Sequence, residues 1–259
     1  MGFLTDLVAV RRLELERHPL DDSTLLARAM ALPPARDFVG ALRARAGRPA
    51  VIAEVKRASP TAGAIAERDP TEQARAYASA GAAAISVLTE QAHFHGSLAD
   101  LRAARMACDL PVLRKDFLIH PSELIESRAA GADAVLLIAA CLSTNELVAM
   151  LATARDLGLG ALVETHSDAD LEKALATDAE VVGVNARDLE TLDVDVSRAL
   201  VHLSKVPDGR LSVMESGISS RDQVRAAVDA GASAILVGEA LMRADDPGAK
   251  LRELLGEES

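Results

Sequence analysis

The sequence predicts an α/β protein, a closed (β/α)8 barrel behind an N-terminal helical extension, and three observations predict it. Eight short β-branched runs begin at about residue 50 and alternate with Ala-, Leu- and Arg-rich helical stretches. Parallel neighbours need a crossover, and helices supply it; eight strands close a barrel, and 259 residues suit one. The third observation is an internal echo. Gly81-Ala-Ala-Ala-Ile, Gly131-Ala-Asp-Ala-Val and Gly231-Ala-Ser-Ala-Ile each place a glycine where a helix ends and a strand begins, 50 and 100 residues apart. An open doubly wound sheet is the competing arrangement, but no G-x-G-x-x-G turn follows the first strand.

Residues 1–259 read as a single domain, with 1–48 as the extension and 49–259 as the barrel. Phe3 to Arg17 has the apolar spacing of an amphipathic helix (Leu4, Leu7, Val8). Asp21-Asp22-Ser23 offers N-caps for a second short helix that Pro33-Pro34 ends, and a third runs from about Ala35 to Ala46, closing at Gly47. This arm is expected to act as a lid or a bottom cover. The strands follow as Val51–Lys56, Ala84–Leu88, Val112–Lys115, Ala134–Ile138, Ala161–Glu164, Val181–Asn185, Leu211–Glu215 and Ala234–Val237.

Composition narrows the function. Hydrophobic content of 49% with 26% charged residues is that of a water-soluble globular protein, and 2% aromatic content leaves the core to Ala, Val, Leu and Ile. A formal charge of −11 argues against nucleic-acid or anionic-membrane partners while leaving room for a local pocket for an anionic metabolite. The first twenty residues carry charges throughout, unlike a signal peptide, and no run approaches the ~18 apolar residues of a membrane span. Cys108, in a predicted helix, and Cys141, just after a strand, lack metal-ligand spacing and fit a reducing cytoplasm.

In a barrel, polar residues at strand C-termini converge on one mouth. Strand one ends in Glu54 and Lys56, two residues apart and so on one face within charge-pairing reach. Strand three ends in Arg114-Lys115-Asp116, strand five in Glu164, strand six in Asn185 and Arg187, and strand seven in Glu215-Ser216. One such charge is ordinarily a solvated strand end; this many are hard to read except as a shared site. Glu215-Ser216-Gly217-Ile218 and Val237-Gly238-Glu239-Ala240 form glycine-bearing turns after strands seven and eight, where barrels frequently bind phosphate. His93, His95 and His166 show no metal-binding pattern and are expected at the surface. Neither a metal nor an organic cofactor is expected.

Taken together, these residues resemble the indole-3-glycerol phosphate synthases. The matching stretches are Ile52-Ala-Glu-Val-Lys-Arg-Ala-Ser-Pro60, Ser86-Val-Leu-Thr-Glu90, Pro111-Val-Leu-Arg-Lys-Asp-Phe117, Gly131-Ala-Asp-Ala-Val-Leu-Leu-Ile138, Leu162-Val-Glu164, Gly183-Val-Asn-Ala-Arg-Asp-Leu189 and Glu215-Ser-Gly-Ile218. The resemblance implies ring closure of 1-(2-carboxyphenylamino)-1-deoxyribulose 5-phosphate with loss of carbon dioxide and water. It further implies Lys115 as general acid, Glu164 as the group managing dehydration, Lys56 on the substrate carboxylate, and Glu54 orienting the lysines. Asn185 and Glu215 correspond to positioning residues, with Arg187 beside them.

Phosphate binding carries over to Ser216, Gly217, Gly238 and the backbone amide of Glu239. The loop residue Ser59 carries over with the binding residues, and Pro60, Phe94, Phe117, Leu136, Ile138 and Leu189 match an apolar slot for the anilino ring. Excluding water from that slot is expected to lower a lysine pKa. Three departures stand out: Ala186 replaces Asn or Ser, Glu239 replaces a small hydroxyl residue so that its carboxylate must turn away from the phosphate, and Thr61-Ala62 replaces a Ser-containing pair. A small phosphorylated substrate and a monomer or weak homo-oligomer are the expected partners. Three other readings keep the barrel: an aldolase using Lys115 as a Schiff-base nucleophile, the related isomerase of the same pathway, whose Cys/Asp acid–base pair has no match here, and a catalytically silent scaffold.

Overall fold

Eight parallel strands close on themselves in the computed structural model, which describes residues 2–43, 49–56, 58–59, 63–64 and 68–257, the side chains of 58–59 and 63–64 aside. They are β1 (Ala50–Val55), β2 (Ala84–Leu88), β3 (Val112–Lys115), β4 (Ala134–Ile138), β5 (Gly160–Thr165), β6 (Val181–Asn185), β7 (Leu211–Glu215) and β8 (Ala234–Val237). Each pairs with its sequence neighbours, and β8 returns to β1 with Ala234 opposite Ala50, giving a TIM barrel. Six strands have the expected limits. β1 stops at Val55, leaving Lys56 just past the strand, and β5 is one residue longer at each end.

The strands are short because their sequences change character at both ends. Apolar residues fill them, β1, β2, β4, β6 and β8 being buried throughout. The echoed glycines Gly81, Gly131 and Gly231 lie at helix ends with φ of 90°, 95° and 101°. The amides after them close the helices identically: Ala82 onto the Tyr77 carbonyl, Ala132 onto Ser127 and Ala232 onto Ala227, at 3.0, 2.9 and 2.9 Å. A left-handed residue at that point costs glycine little, which is why the pattern sets the register.

The arm holds α1 (Phe3–Arg17), α2 (Asp22–Met30) and α3 (Phe38–Arg43). Asp21 caps α2 by accepting from the Thr24 amide at 3.1 Å. α3 starts later than expected because the Asp37 carboxylate takes the Gly40 amide at 2.8 Å and so marks a cap; Ala44 to Gly47 lie outside the described residues. The arm is a lid at one end and a bottom cover at the other. Arg11 pairs with Glu123 at 2.8 Å and Arg12 with Glu146 at 3.1 Å, near the starts of the helices that follow β3 and β4. The chain then follows the helix Pro121–Ala129 from Ser122, which donates to Asp22, to Arg128, which donates to the Pro33 carbonyl. At the opposite end of the barrel, Arg36 donates to the Cys108 and Leu110 carbonyls at 2.7 Å, and the buried Phe38 packs beside Gly160. Cys108 stands one residue past its helix, and Cys141 lies in a 3-10 turn after β4; both are free thiols. No helix among the described residues is long and apolar enough to cross a membrane.

Candidate active site

The C-terminal strand ends supply the mouth, and alternate strands supply different chemistry. Odd strands contribute ionisable groups: Glu54 from β1, Lys115 from β3, Glu164 from β5 and Glu215 from β7. Alternate strands of such a barrel fill its interior in layers of four, so these residues have the composition of one layer made wholly of acids and a base. Even strands contribute Leu88, Leu136, Ile138, Asn185, Leu236 and Val237, apolar except for one amide. Sixteen of the eighteen expected site residues line this one cavity: Glu54, Lys56, Phe94, Lys115, Phe117, Leu136, Ile138, Glu164, Asn185, Arg187, Leu189, Glu215, Ser216, Gly217, Gly238 and Glu239. The Ser59 side chain and Pro60 lie outside the described residues, as do Thr61 and Ala62.

Lys56 Nζ stands 3.0 Å from Glu54 Oε1, the pairing that their two-residue spacing demanded. Lys115 Nζ lies 3.4 Å from Glu164 Oε2 and 3.9 Å from Glu215 Oε2. Asn185 fixes the other Glu164 oxygen, donating from Nδ2 to Oε1 at 3.1 Å, while its own Oδ1 accepts the Arg187 amide at 2.9 Å. Lys115 is held from behind. Its neighbours Arg114 and Asp116 pair with each other at 3.1 Å, and Arg114 also bonds Glu126, Thr89 and Ser127.

The expected fall in lysine pKa does not occur at Lys115. Burial does work to lower it, but the Glu164, Glu215 and Glu54 carboxylates together outweigh burial and hold the ammonium above the ordinary lysine range. Glu215 moves upward too: burial and then the Glu164 carboxylate raise it well above the ordinary glutamate range, and Lys115 only partly offsets them. Among the described residues, neither Glu215 carboxylate oxygen has a hydrogen-bond partner.

A raised carboxyl pKa has a definite sign in stability. Above the ordinary glutamate value of 4.5, the unfolded chain has released the proton that native Glu215 still holds, so stability falls as pH rises towards the folded value. Glu215→Gln removes that loss. Unfolding free energies from urea titrations between pH 5 and 9 are expected to diverge in favour of the variant, at a slope of up to about 1.4 kcal/mol per pH unit; parallel curves would remove Glu215 as a titrating group.

Two glycines make room for these acids. A Cβ on Gly183 would collide with Glu215 Oε1, and one on Gly238 with Glu54 Oε1. On the cradle side, Ser216 and Gly217 both adopt left-handed backbone, φ 63° and 72°, and a Cβ on Gly217 would also meet Val196. Gly238 begins the short helix Glu239–Arg243, whose first amides have no intrahelical acceptor. The Glu239 carboxylate is taken by Arg243 Nε at 2.9 Å and faces Arg187 Nη2 at 3.6 Å.

Several residues at or near the mouth escaped the sequence. Phe3 and Leu192 line the cavity. His166 is not a surface histidine: its ring bridges the Asn185 carbonyl and Asp188 at 3.1 Å each and meets Arg198 at 2.9 Å. Its place directly after β5 was the available signal. Among the described residues, no group of three or more His, Cys, Asp or Glu is set to hold a metal ion.

A family model for indole-3-glycerol phosphate synthase matches residues 4–254. The chain belongs to the indole-3-glycerol phosphate synthase family. It is 47% identical over 261 residues to the indole-3-glycerol phosphate synthase of Polaromonas naphthalenivorans, covering 98% of each chain. With the indole-3-glycerol phosphate synthase of a Nocardioides species it shares 50% over 264 residues, covering all of both. Among solved structures, a 3-hexulose-6-phosphate synthase superposes with a TM-score of 0.65 at 18% identity, over 80% of this chain and 98% of that one. A tryptophan synthase α-subunit from Pyrococcus furiosus does so with a TM-score of 0.62 at 16% identity, with the same two coverages. These two likenesses concern the barrel alone. Membership makes the protein an indole-3-glycerol phosphate synthase, a carboxy-lyase of tryptophan biosynthesis.

Proposed function

We propose that the mouth binds 1-(2-carboxyphenylamino)-1-deoxyribulose 5-phosphate and closes it to indole-3-glycerol phosphate, releasing carbon dioxide and water. The observation that carries the assignment of roles is Lys115, an ammonium between Glu164 and Glu215 that faces an apolar wall of Phe94, Phe117, Leu136, Ile138 and Leu189. The ring occupies that wall, and the phosphate takes the backbone amides around Ser216, Gly217, Gly238 and Glu239. Lys56 holds the substrate carboxylate and Glu54 orients Lys56.

The chemistry then follows from what each group can donate. As the ring carbon attacks the ketone, Lys115 delivers a proton to the developing alkoxide. Carbon dioxide leaves that ring carbon. Glu164 completes the dehydration by taking a proton from the adjacent methylene carbon and returning one to the hydroxyl formed at the former ketone carbon, which leaves as water; Asn185 holds the carboxylate in place, and the new carbon–carbon double bond gives the indole. Glu215 and Arg187 position the reacting groups from either side. A Schiff-base role for Lys115 needs a neutral amine, and the surrounding carboxylates work against one.

Arm and barrel act here as a single domain, in the cytoplasm, as a monomer or weak homo-oligomer. The purified protein is expected to convert the substrate into an indole-fluorescent product at the same rate with and without EDTA. No fluorescence gain at saturating substrate would refute this function.

A further inference from the structure

We propose that His166 is a positioning residue for substrate binding, the middle member of an Arg198–His166–Asp188 relay that fixes the loop after β6 against the end of β5. The inference deepens the reading above and rests on it, since that loop brings Arg187, Leu189 and Leu192 to the cavity. The loop is built around one carboxylate. Asp188 Oδ1 accepts the Glu190 and Thr191 amides at 2.7 and 3.1 Å. The Asp188 carbonyl accepts the Leu192 amide, and its own amide donates to the Asp193 carbonyl, both at 2.8 Å. Arg187 Nη1 closes the turn onto the Leu192 carbonyl at 3.0 Å, and Leu192 itself has left-handed backbone at φ 67°. All these contacts lie inside the loop and give it shape without giving it a place. The second Asp188 oxygen reaches outwards, to His166 Nε2 at 3.1 Å.

The partners of the ring fix its hydrogen. A carboxylate only accepts and a guanidinium only donates. Nε2, facing Asp188, therefore carries the hydrogen, and Nδ1 offers its lone pair to Arg198 Nη2 at 2.9 Å. The Asn185 carbonyl, 3.1 Å from Nδ1, is the partner that a hydrogen on Nδ1 would serve instead. Arg198 stands on the helix Val196–Leu203, and among the described residues its buried Nε has no acceptor, so the ring is what orients its guanidinium. Burial works to raise the Asp188 carboxyl, but the Glu190 and Thr191 amides and the His166 ring overcome it and hold Asp188 below the ordinary aspartate range. The relay thus ends on a charge, and a hydrogen bond to a charge is among the stronger ones. Holding Asp188 holds its neighbours: Arg187, which faces Glu239 of the phosphate cradle at 3.6 Å, and Leu189 of the ring slot. Asn185 is secured separately, in register with Glu215 on β7. Loosening the loop therefore weakens the grip on ground state and transition state alike, which raises KM and spares kcat.

The test compares the full-length chain with His166→Ala, His166→Gln, His166→Asn, Arg198→Ala and the His166→Ala/Arg198→Ala pair. His166→Ala is expected to raise KM about tenfold, the scale of one hydrogen bond to a charged group, with a much smaller change in kcat. His166→Gln restores most of the affinity, because its amide nitrogen reaches the place of Nε2 and donates to Asp188; His166→Asn reaches only the place of Nδ1 and does not. This contrast also carries the test if the alanine variant does not fold. Arg198→Ala raises KM less, and the pair is no worse than His166→Ala alone, since Arg198 acts through the ring. Hydrogen exchange reads the loop without any turnover: in His166→Ala the Glu190 and Thr191 amides exchange about tenfold faster, while the amides of β6 keep their protection. An unchanged KM in His166→Ala, equal KM in the Gln and Asn variants, or unchanged exchange at Glu190 and Thr191 overturns the inference. If the unaltered chain forms product in those cases, only the inference falls; if it forms none, the reading beneath it falls, and the exchange rates still decide the relay.

Discussion

Lys115→Ala lowers turnover by at least about 100-fold, the contribution of a positioned acid, or about 2.7 kcal/mol of transition-state stabilisation. The loss appears in kcat, because the substrate's ring and phosphate contact other residues and KM has little reason to move. Arginine does not restore activity. It keeps the positive charge between Glu164 and Glu215 but holds its proton too tightly to deliver it. Comparing the two variants by indole fluorescence therefore separates a proton donor from a mere counter-ion: near-normal rates in Lys115→Arg would convert Lys115 into the latter. The raised pKa adds a second expectation. The lysine stays protonated through the neutral range and beyond, so it imposes no alkaline loss of activity below the ordinary lysine value.

Glu164→Gln produces a loss of similar size, at least about 100-fold in product formation, with a different signature. Glu164 is 1% exposed and is fixed by Lys115 on one oxygen and Asn185 on the other. Glutamine preserves size while removing the acid–base function. If Glu164 acts in dehydration, a single turnover of the variant releases carbon dioxide well before indole fluorescence appears. Simultaneous slowing of both signals would move Glu164 to an earlier step, and full activity would remove it from the chemistry.

How much of this was legible follows from the range of the interactions. Strand limits and the Glu54–Lys56 pair were readable because both depend on residues two to five apart, where the pleat dictates direction. The convergence of Lys115, Glu164 and Glu215 was readable once eight strands were counted, since closure brings every strand end to one rim. The sign of the Lys115 shift was not. It depends on three carboxylates surrounding one ammonium, and the sequence shows the acids without showing that alternate strands place them together. Phe3 reads locally as one more apolar residue of an amphipathic helix. Only its contact with a loop some 185 residues away brings it over the mouth. Gly183 likewise reads as an ordinary strand glycine until the Glu215 carboxylate is seen in the volume a methyl group would occupy.

The pairing of Ala50 with Ala234 has a consequence for how the molecule is made. During synthesis β1 emerges early and acquires β2 soon afterwards, yet its other edge waits for a partner about 180 residues downstream. Contacts spanning so much of the chain are slow to form. Through that interval an apolar strand with unsatisfied amides and carbonyls stays open to mispairing, the state in which a nascent polypeptide is most prone to aggregate. The last strand to leave the ribosome therefore seals the rim that carries the chemistry and removes the hazard created by the first.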